Sequence, residues 1–478
     1  MKKHIGLLGV IFAALAVGAG EPVFHPVENT FPGEWFLRSV TPGRAKYEKH
    51  YLDRLDKLAP PAERAARAEA FLRLMDDVAV SNRDENAAIE KALNWPPGDF
   101  TYHNLRFYAK VGCTSWMVLP DASATGAVML QKNRDYGGQK LLALRLFRAK
   151  PGRYKIAMMG DLWSSGACAV MNEKGLMIVQ NDGPGWESRL SRGGIGCVSM
   201  LRLLAEQCAD VAEAEAMFRK LHTRGIVGGS SIYLIADLDR GVIIEATGRH
   251  LAVARVDFGF EARANNFLLP GMSGLNKVLT DRDAFLNGEN RRFTATAFFA
   301  SRLREKGNLS PRDLMDCSRL RDPETAKRKL RQICMKHTIA STLFVPDRAF
   351  PELLSTVFIA VGPPRHTVYL PIPMGATEFP EELADGEMGL LAFALRDKYG
   401  LDHPHLDRFK ALETQLMDEY FTTRETARIL LCQHRRTEAA ELLTKTFRKQ
   451  FAKVRDFLQN ELETASSAPR RVGICNSR

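Results

Sequence analysis

Apolar and polar positions along this 478-residue chain follow three successive patterns. Ala66, Ala70, Leu74 and Val78 stand four apart behind Pro60-Pro61-Ala62-Glu63, which predicts a helix to about Val80, since proline suits a first helical turn. Trp95-Pro96-Pro97-Gly98 stops the short helix that follows. From 113 to 375 the pattern changes to short, β-rich apolar runs between turn residues. They lie at 116–119, 127–131, 141–147, 154–159, 175–180, 231–236, 242–246, 251–256, 341–345, 356–361 and 367–370. Helical spacing interrupts them at about 197–221 and 290–305. Beyond 376, helices are expected at 388–398, 405–420, 422–434 and 438–462, each with charges on one face and Leu, Phe, Ile or Val on the other. Many strands with interior helices predict α+β layers.

The chain divides into four parts on this reading. Residues 1–20 carry Lys2, Lys3 and His4, an apolar run from Ile5 to Val17 and then Gly18-Ala19-Gly20, the form of a cleavable signal peptide. Residues 21–112 form an N-terminal helical segment, 113–375 the β-rich core and 376–478 a C-terminal helical extension. The run at 5–17 is shorter than the roughly 18 apolar residues of a membrane-spanning helix, and no other stretch approaches that length, so an exported protein without stable membrane insertion is expected. Its destination would be the periplasm or the exterior.

Composition adds exclusions. At 45% hydrophobic and 26% charged residues the chain is of ordinary globular make-up, which excludes collagen, rod and wholly disordered classes. Eight Cys in this length are too few for a disulfide miniprotein, and none shows zinc-ligand spacing. The net charge of +11 resides in 113–375, the flanking parts nearly cancelling. Without a Lys/Arg block or an aromatic RNA-binding motif, a nucleic-acid partner is not expected, and a solvated basic surface or a pocket for an anionic small substrate remain. His403-Pro404-His405 reads as a solvated loop rather than a metal site. No cofactor or metal is implied.

The chemistry-bearing residues cluster in the core. Cys113 sits where the helical texture gives way to β-rich sequence, and a cysteine at a newly exposed chain terminus can use its own α-amine as base. Cys113-Thr114-Ser115 is followed in order by Lys132-Asn133-Arg134-Asp135-Tyr136, Met171-Asn172-Glu173-Lys174-Gly175-Leu176, Asn181-Asp182-Gly183, Ala264-Asn265-Asn266-Phe267 and Asn290-Arg291-Arg292-Phe293.

This ordered set resembles the N-terminal-nucleophile (Ntn) hydrolases of the cysteine branch. It is similar to the acyl-coenzyme A:6-aminopenicillanic acid acyltransferase family (peptidase family C45), the choloylglycine hydrolases and the penicillin V acylases, over roughly 113–375. The resemblance implies a four-layer αββα sandwich. It implies Cys113 as nucleophile and, through its α-amine, as base. Asp135 would orient that amine, Asn181 and Asn265 would face the oxyanion, and Arg292 would stabilise charge around the thiolate. Lys132, Arg134 and Asn266 are further candidate contacts. Autocatalytic cleavage at Gly112-Cys113 would activate a zymogen, and the released 21–112 segment would remain bound.

Departures from the family pattern narrow the reading. Lys132 stands where the bile salt hydrolases have Arg, and Asn266 where the acyltransferase has His. Ala264 and Ile339 replace its Thr and Arg, which argues against penicillin synthesis. The expected activity is hydrolysis of a linear non-peptide amide in an N-acylated small molecule, with acyl transfer to another amine as the alternative within the class. A non-catalytic envelope or binding protein is the alternative outside it. A homo-oligomer is left open.

Overall fold

The computed structural model describes residues 52–53, 55–57, 59–75, 80–105, 112–136, 142–147, 152–161, 164–184, 194–276, 282–322, 332–377 and 387–464. The signal segment at 1–20 and Cys475 lie outside the described residues.

Among the described residues the β-rich region forms two antiparallel sheets. The first contains β1 (Cys113–Val118), β2 (Met129–Asp135), β10 (Phe260–Arg263), β11 (Thr338–Val345), β12 (Thr356–Val361) and β13 (Leu370–Pro373) in the order β10-β1-β2-β11-β12-β13. The second runs in sequence order: β3 (Leu142–Phe147), β4 (Ile156–Asp161), β5 (Ala169–Asn172), β6 (Met177–Asp182), β7 (Ser230–Ala236), β8 (Gly241–Thr247) and β9 (Leu251–Val256). The sheets pack face to face where β1 and β2 meet β6. Helices α4 (Cys197–Gln207) and α5 (Val211–Thr223) cover the outside of the second sheet, and α6 (Arg282–Lys306) and α7 (Pro311–Ser318) that of the first. The result is the four-layer αββα arrangement that the family resemblance implies.

Burial on both faces explains why β1 and β2 lack a clean alternation. Every residue of Met-Leu-Gln-Lys-Asn-Arg-Asp is buried, charged ones included, and buried charges are tolerated only with partners. A polar run in a doubly covered strand therefore marks a built site.

Local chemistry accounts for the elements the pattern misses. The expected helix at 197–221 is two helices, because the Asp210 side chain accepts from Glu213 N at 2.9 Å and starts a new helix as an N-cap. β5 and β10 have four residues each, too few for a readable period. The Asn-Glu-Lys-Gly-Leu stretch is the β5–β6 turn: Asn172 Oδ1 accepts from Lys174 N and Leu176 N at 3.0 Å, and Gly175 takes φ +87°.

The C-terminal extension comprises α8 (Glu387–Tyr399), α9 (Leu406–Cys432) and α10 (Arg436–Thr464). The helices expected at 405–420 and 422–434 are one, since no Gly or Pro interrupts them. Phe409, Leu416, Phe447, Phe451 and Leu458 join the same hydrophobic core as β12 and β13. Buried ion pairs weld the junction. Arg319 meets Glu413 of α9, and Asp347 takes Arg424 and Arg428 of α9, each at 2.5 Å. The expected solvated His403-Pro404-His405 loop holds for Pro404 and His405, which are exposed, but not for His403, which is 4% exposed and packs on Tyr399 and Phe409, with ring centroids 4.6 and 4.7 Å away. Among the described residues no cluster of three or more His, Cys, Asp or Glu could hold a metal ion, and no helix is long and apolar enough to cross a membrane.

The N-terminal segment contributes α1 (Pro61–Met75), α2 (Val80–Leu93) and α3 (Asp99–Leu105). Glu85 of α2 forms a bidentate pair with Arg202 of α4 at 3.0 and 2.7 Å, with both side chains buried. Asn104 Oδ1 of α3 accepts from Ser164 Oγ at 2.9 Å and Ser165 N at 3.0 Å. The segment is thus hydrogen-bonded into the core rather than draped over it.

Candidate active site

Cys113 opens β1 and is 1% exposed. Its main-chain N–H donates to Asn265 Oδ1 at 3.1 Å. Its carbonyl accepts from Arg291 Nη1 at 3.1 Å. The same guanidinium donates to Thr114 Oγ1 (3.2 Å), to Asp135 Oδ2 (2.9 Å) and, through Nη2, to Asn265 Oδ1 (2.6 Å). Thr338 Oγ1 donates to Asp135 Oδ1 at 2.5 Å, and the Asp135 main-chain N–H donates to the Gly112 carbonyl at 2.9 Å. Residues from four distant stretches of chain therefore form one bonded cluster around the Gly112–Cys113 peptide. Burial pushes the Asp135 carboxyl above the ordinary carboxylate range, against the opposing pull of Arg291.

The expectation for Arg292 is corrected here. Arg292 pairs with Glu289 at 2.7 Å and stacks on the exposed Phe293 ring, whereas its neighbour Arg291 reaches Cys113. A residue step on a helix is about 100° of rotation, so only one of the two can face the sheet. Gly288, Arg291, Ala295 and Phe299 make the buried stripe of α6, and that phase singles out Arg291. Thr338 was not foreseen either; no motif surrounds it.

Arg134 lies opposite Cys113 and Lys132 opposite Ser115 in the β1–β2 register. Cross-strand partners share a face, and this face looks toward the second sheet. Arg134 Nη1 contacts Cys168 Sγ there, and Lys132 Nζ and Ser115 Oγ both donate to Asn181 Oδ1, at 3.3 and 2.7 Å. Asn181 Nδ2 donates to the carbonyls of Arg263 (3.2 Å) and Ala264 (3.0 Å). Both its amide hydrogens are thereby committed, and Asn181 fixes the stretch that ends in Asn265. Asn266 points away from Cys113, donating to Phe285 O and Glu289 Oε1 on α6 at 2.9 and 3.0 Å. Glu245, also unforeseen, secures the same loop by accepting from Leu268 N and Leu269 N.

Several other thiols are buried. Burial pushes Cys197 and Cys208 up to about 12 and Cys334 to about 11. The seven described cysteines are all free thiols, Cys432 exposed and the others buried.

Residues 123–346 match the family described as acyl-coenzyme A:6-aminopenicillanic acid acyl-transferase. The matched span begins after Cys113 and contains Asp135, Asn181, Asn265 and Arg291. No curated protein matches the chain. Among solved structures it is similar to a Caenorhabditis elegans N-acylethanolamine-hydrolyzing acid amidase ortholog, at 16% identity and a TM-score of 0.36 over 52% of this chain and 100% of that one. A variant of conjugated bile acid hydrolase from Clostridium perfringens matches at 12% identity and a TM-score of 0.37, over 55% of this chain and 92% of that one. Penicillin V acylase from Agrobacterium tumefaciens matches at 13% and 0.34, over 56% and 89%. With its core matched to that family and its two-sheet αββα architecture, the chain resembles the acyl-coenzyme A:6-aminopenicillanic acid acyl-transferase group of Ntn hydrolases.

Proposed function

We propose that the chain is an exported zymogen which cleaves itself at Gly112–Cys113 and then hydrolyses a linear amide in an N-acylated small molecule through a thioester on Cys113. The observation that supports this most is the convergence of Asn265, Arg291 and Asp135 on one peptide unit, with the Cys113 nitrogen already bonded to Asn265 Oδ1. Once that nitrogen is a free amine, the same oxygen remains its acceptor and keeps it oriented. In turnover the amine takes the thiol proton, sulfur bonds to the substrate carbonyl carbon, and the C–N bond breaks as the leaving amine is protonated. Water then attacks the thioester, releasing the carboxylic acid and restoring the thiol. An N-acyltransferase differs only in that an amine attacks in place of water, and the matched family's description keeps that reading open. The basic central segment favours a substrate bearing an anionic group. The 21–112 segment would stay attached through Glu85–Arg202 and Asn104.

Intact-mass and N-terminal analysis beside a Cys113→Ala variant tests the proposal. The wild type should yield a chain beginning at Cys113 and the variant should stay whole. A wild type that remains uncut, with Cys113 inert to alkylation, would leave the non-catalytic binding reading in its place.

A further inference from the structure

We infer that the main-chain N–H of Asp135 is the oxyanion donor of self-cleavage, and that Gly112 is required because the Asp135–Arg291 pair walls it in. The inference rests on the processing step proposed above and assigns its donor. Gly112 O accepts from Asp135 N at 2.9 Å, one rung beyond the Cys113–Arg134 pairing, so the β1–β2 ladder itself holds the scissile carbonyl. On the other side of the scissile bond, the Cys113 N–H is bonded to Asn265 Oδ1 at 3.1 Å. Both ends of the peptide unit are thus gripped by groups that do not have to move. The side-chain amides expected to serve an oxyanion are otherwise engaged, Asn181 Nδ2 on the Arg263 and Ala264 carbonyls and Asn265 Nδ2 on the Asp182 carbonyl at 2.9 Å.

The step balances without a further reagent than water. Cys113 Sγ gives up its proton and bonds to the Gly112 carbonyl carbon. The C=O π pair moves onto oxygen, where the Asp135 N–H faces it. The C–N bond then breaks as the Cys113 nitrogen takes up a proton, leaving a Gly112 thioester and a free α-amine. Water hydrolyses the thioester, giving a Gly112 carboxylate and a free thiol.

Space accounts for the glycine. A Cβ at 112 would lie 3.2 Å from Asp135 Oδ2, 3.3 Å from Arg291 Nη1 and 3.4 Å from Asp135 Cβ. The pair cannot easily retreat, because Thr338, Thr114 and Asn265 hold it and both side chains are buried. A methyl group there pushes the scissile carbonyl off its donor.

The test follows self-cleavage of the full chain by intact mass after refolding, in the wild type, Gly112→Ala and Gly112→Val, with a thermal melt of each. Gly112→Ala should cleave at least about tenfold more slowly, the scale of weakening one oxyanion donor. Its cut molecules should hydrolyse p-nitrophenyl acetate like the wild type, because the chain from Cys113 onward is identical. Gly112→Val, whose side chain is larger, should cleave more slowly still. Gly112→Ala cleaving at the wild-type rate would overturn the inference. So would a folded Gly112→Val chain that cuts at least as fast as Gly112→Ala, since the wall around residue 112 would then not set the rate. A crystal structure of uncut Cys113→Ala with Gly112 O beyond hydrogen-bond reach of Asp135 N would overturn it as well. A wild type that never cuts is a different result, and it removes the processing reading itself.

Discussion

Two adjacent arginines separate function from surface. Arg291 is 4% exposed and donates to Cys113, Thr114, Asp135 and Asn265, while Arg292 holds Glu289 at the helix surface. Arg291→Gln should slow both self-cleavage and p-nitrophenyl acetate hydrolysis by about a hundredfold. It should also lower stability by about 3 kcal/mol, because Asp135 is left buried without its cation. Arg292→Gln should change each rate less than threefold. A time course of cleavage beside a denaturant melt of both variants checks the pair. The motif Asn-Arg-Arg-Phe marks the right turn of helix, but two arginines in a row carry no phase.

Among elements, α9 is where the extension and the first sheet become one structure. Glu413 accepts from Arg319 and from Tyr369 N; the Tyr369 hydroxyl donates to Ser318 Oγ and accepts from Gln131 Nε2; and Ser318 O accepts from Asn133 Nδ2. This relay ends on β2, between the residues that line the site. Glu413→Gln leaves the Arg319 charge buried without compensation and should cost about 3–5 kcal/mol in a chemical melt. Truncation before Leu406 should give insoluble chain, since it strips the apolar cover from β13 and bares the core that Phe409, Leu416 and Phe447 close. The strands of this region were readable as apolar runs, whereas the union of two expected helices into α9 followed from the absence of any breaker.

For the whole molecule, attachment and acid response are the measurable properties. On the proposed cleavage, the N-terminal segment should co-elute with the chain that begins at Cys113 on size exclusion. Glu85→Ala, which removes the bidentate pair joining the segment to the core and leaves Arg202 paired with Glu206, should release it or unfold the pair at lower denaturant. Burial holds His366 down to about 3 and His403 to about 4. Their rings lie 5.2 Å apart at the joint between core and extension. Because the folded values lie below the unfolded one near 6.5, the unfolded chain binds protons that the folded chain does not. Stability is therefore unaffected by these groups above about pH 6.5 and falls as pH drops from there toward 4, by up to about 1.4 kcal/mol per pH unit for each group. Melting temperatures at pH 7 and pH 4.5 should differ less in His366→Gln than in the wild type.

By itself the sequence determined the order of helical and β-rich regions, because these are written in local period and turn residues. The αββα class and the choice of Asp135 and Asn265 came from the resemblance that the motif order carries, and both residues stand beside Cys113 in the fold. The tertiary structure alone decided that Arg291 rather than Arg292 faces the site, that Asn181 spends both amide hydrogens on main-chain carbonyls, that Thr338 and Glu245 take part, and that His403 is buried. The physical reason is common to all four. Which way a side chain points, and which partner satisfies it, depends on helix phase and on how segments from 23 to 203 positions apart are packed together, and local period carries none of that.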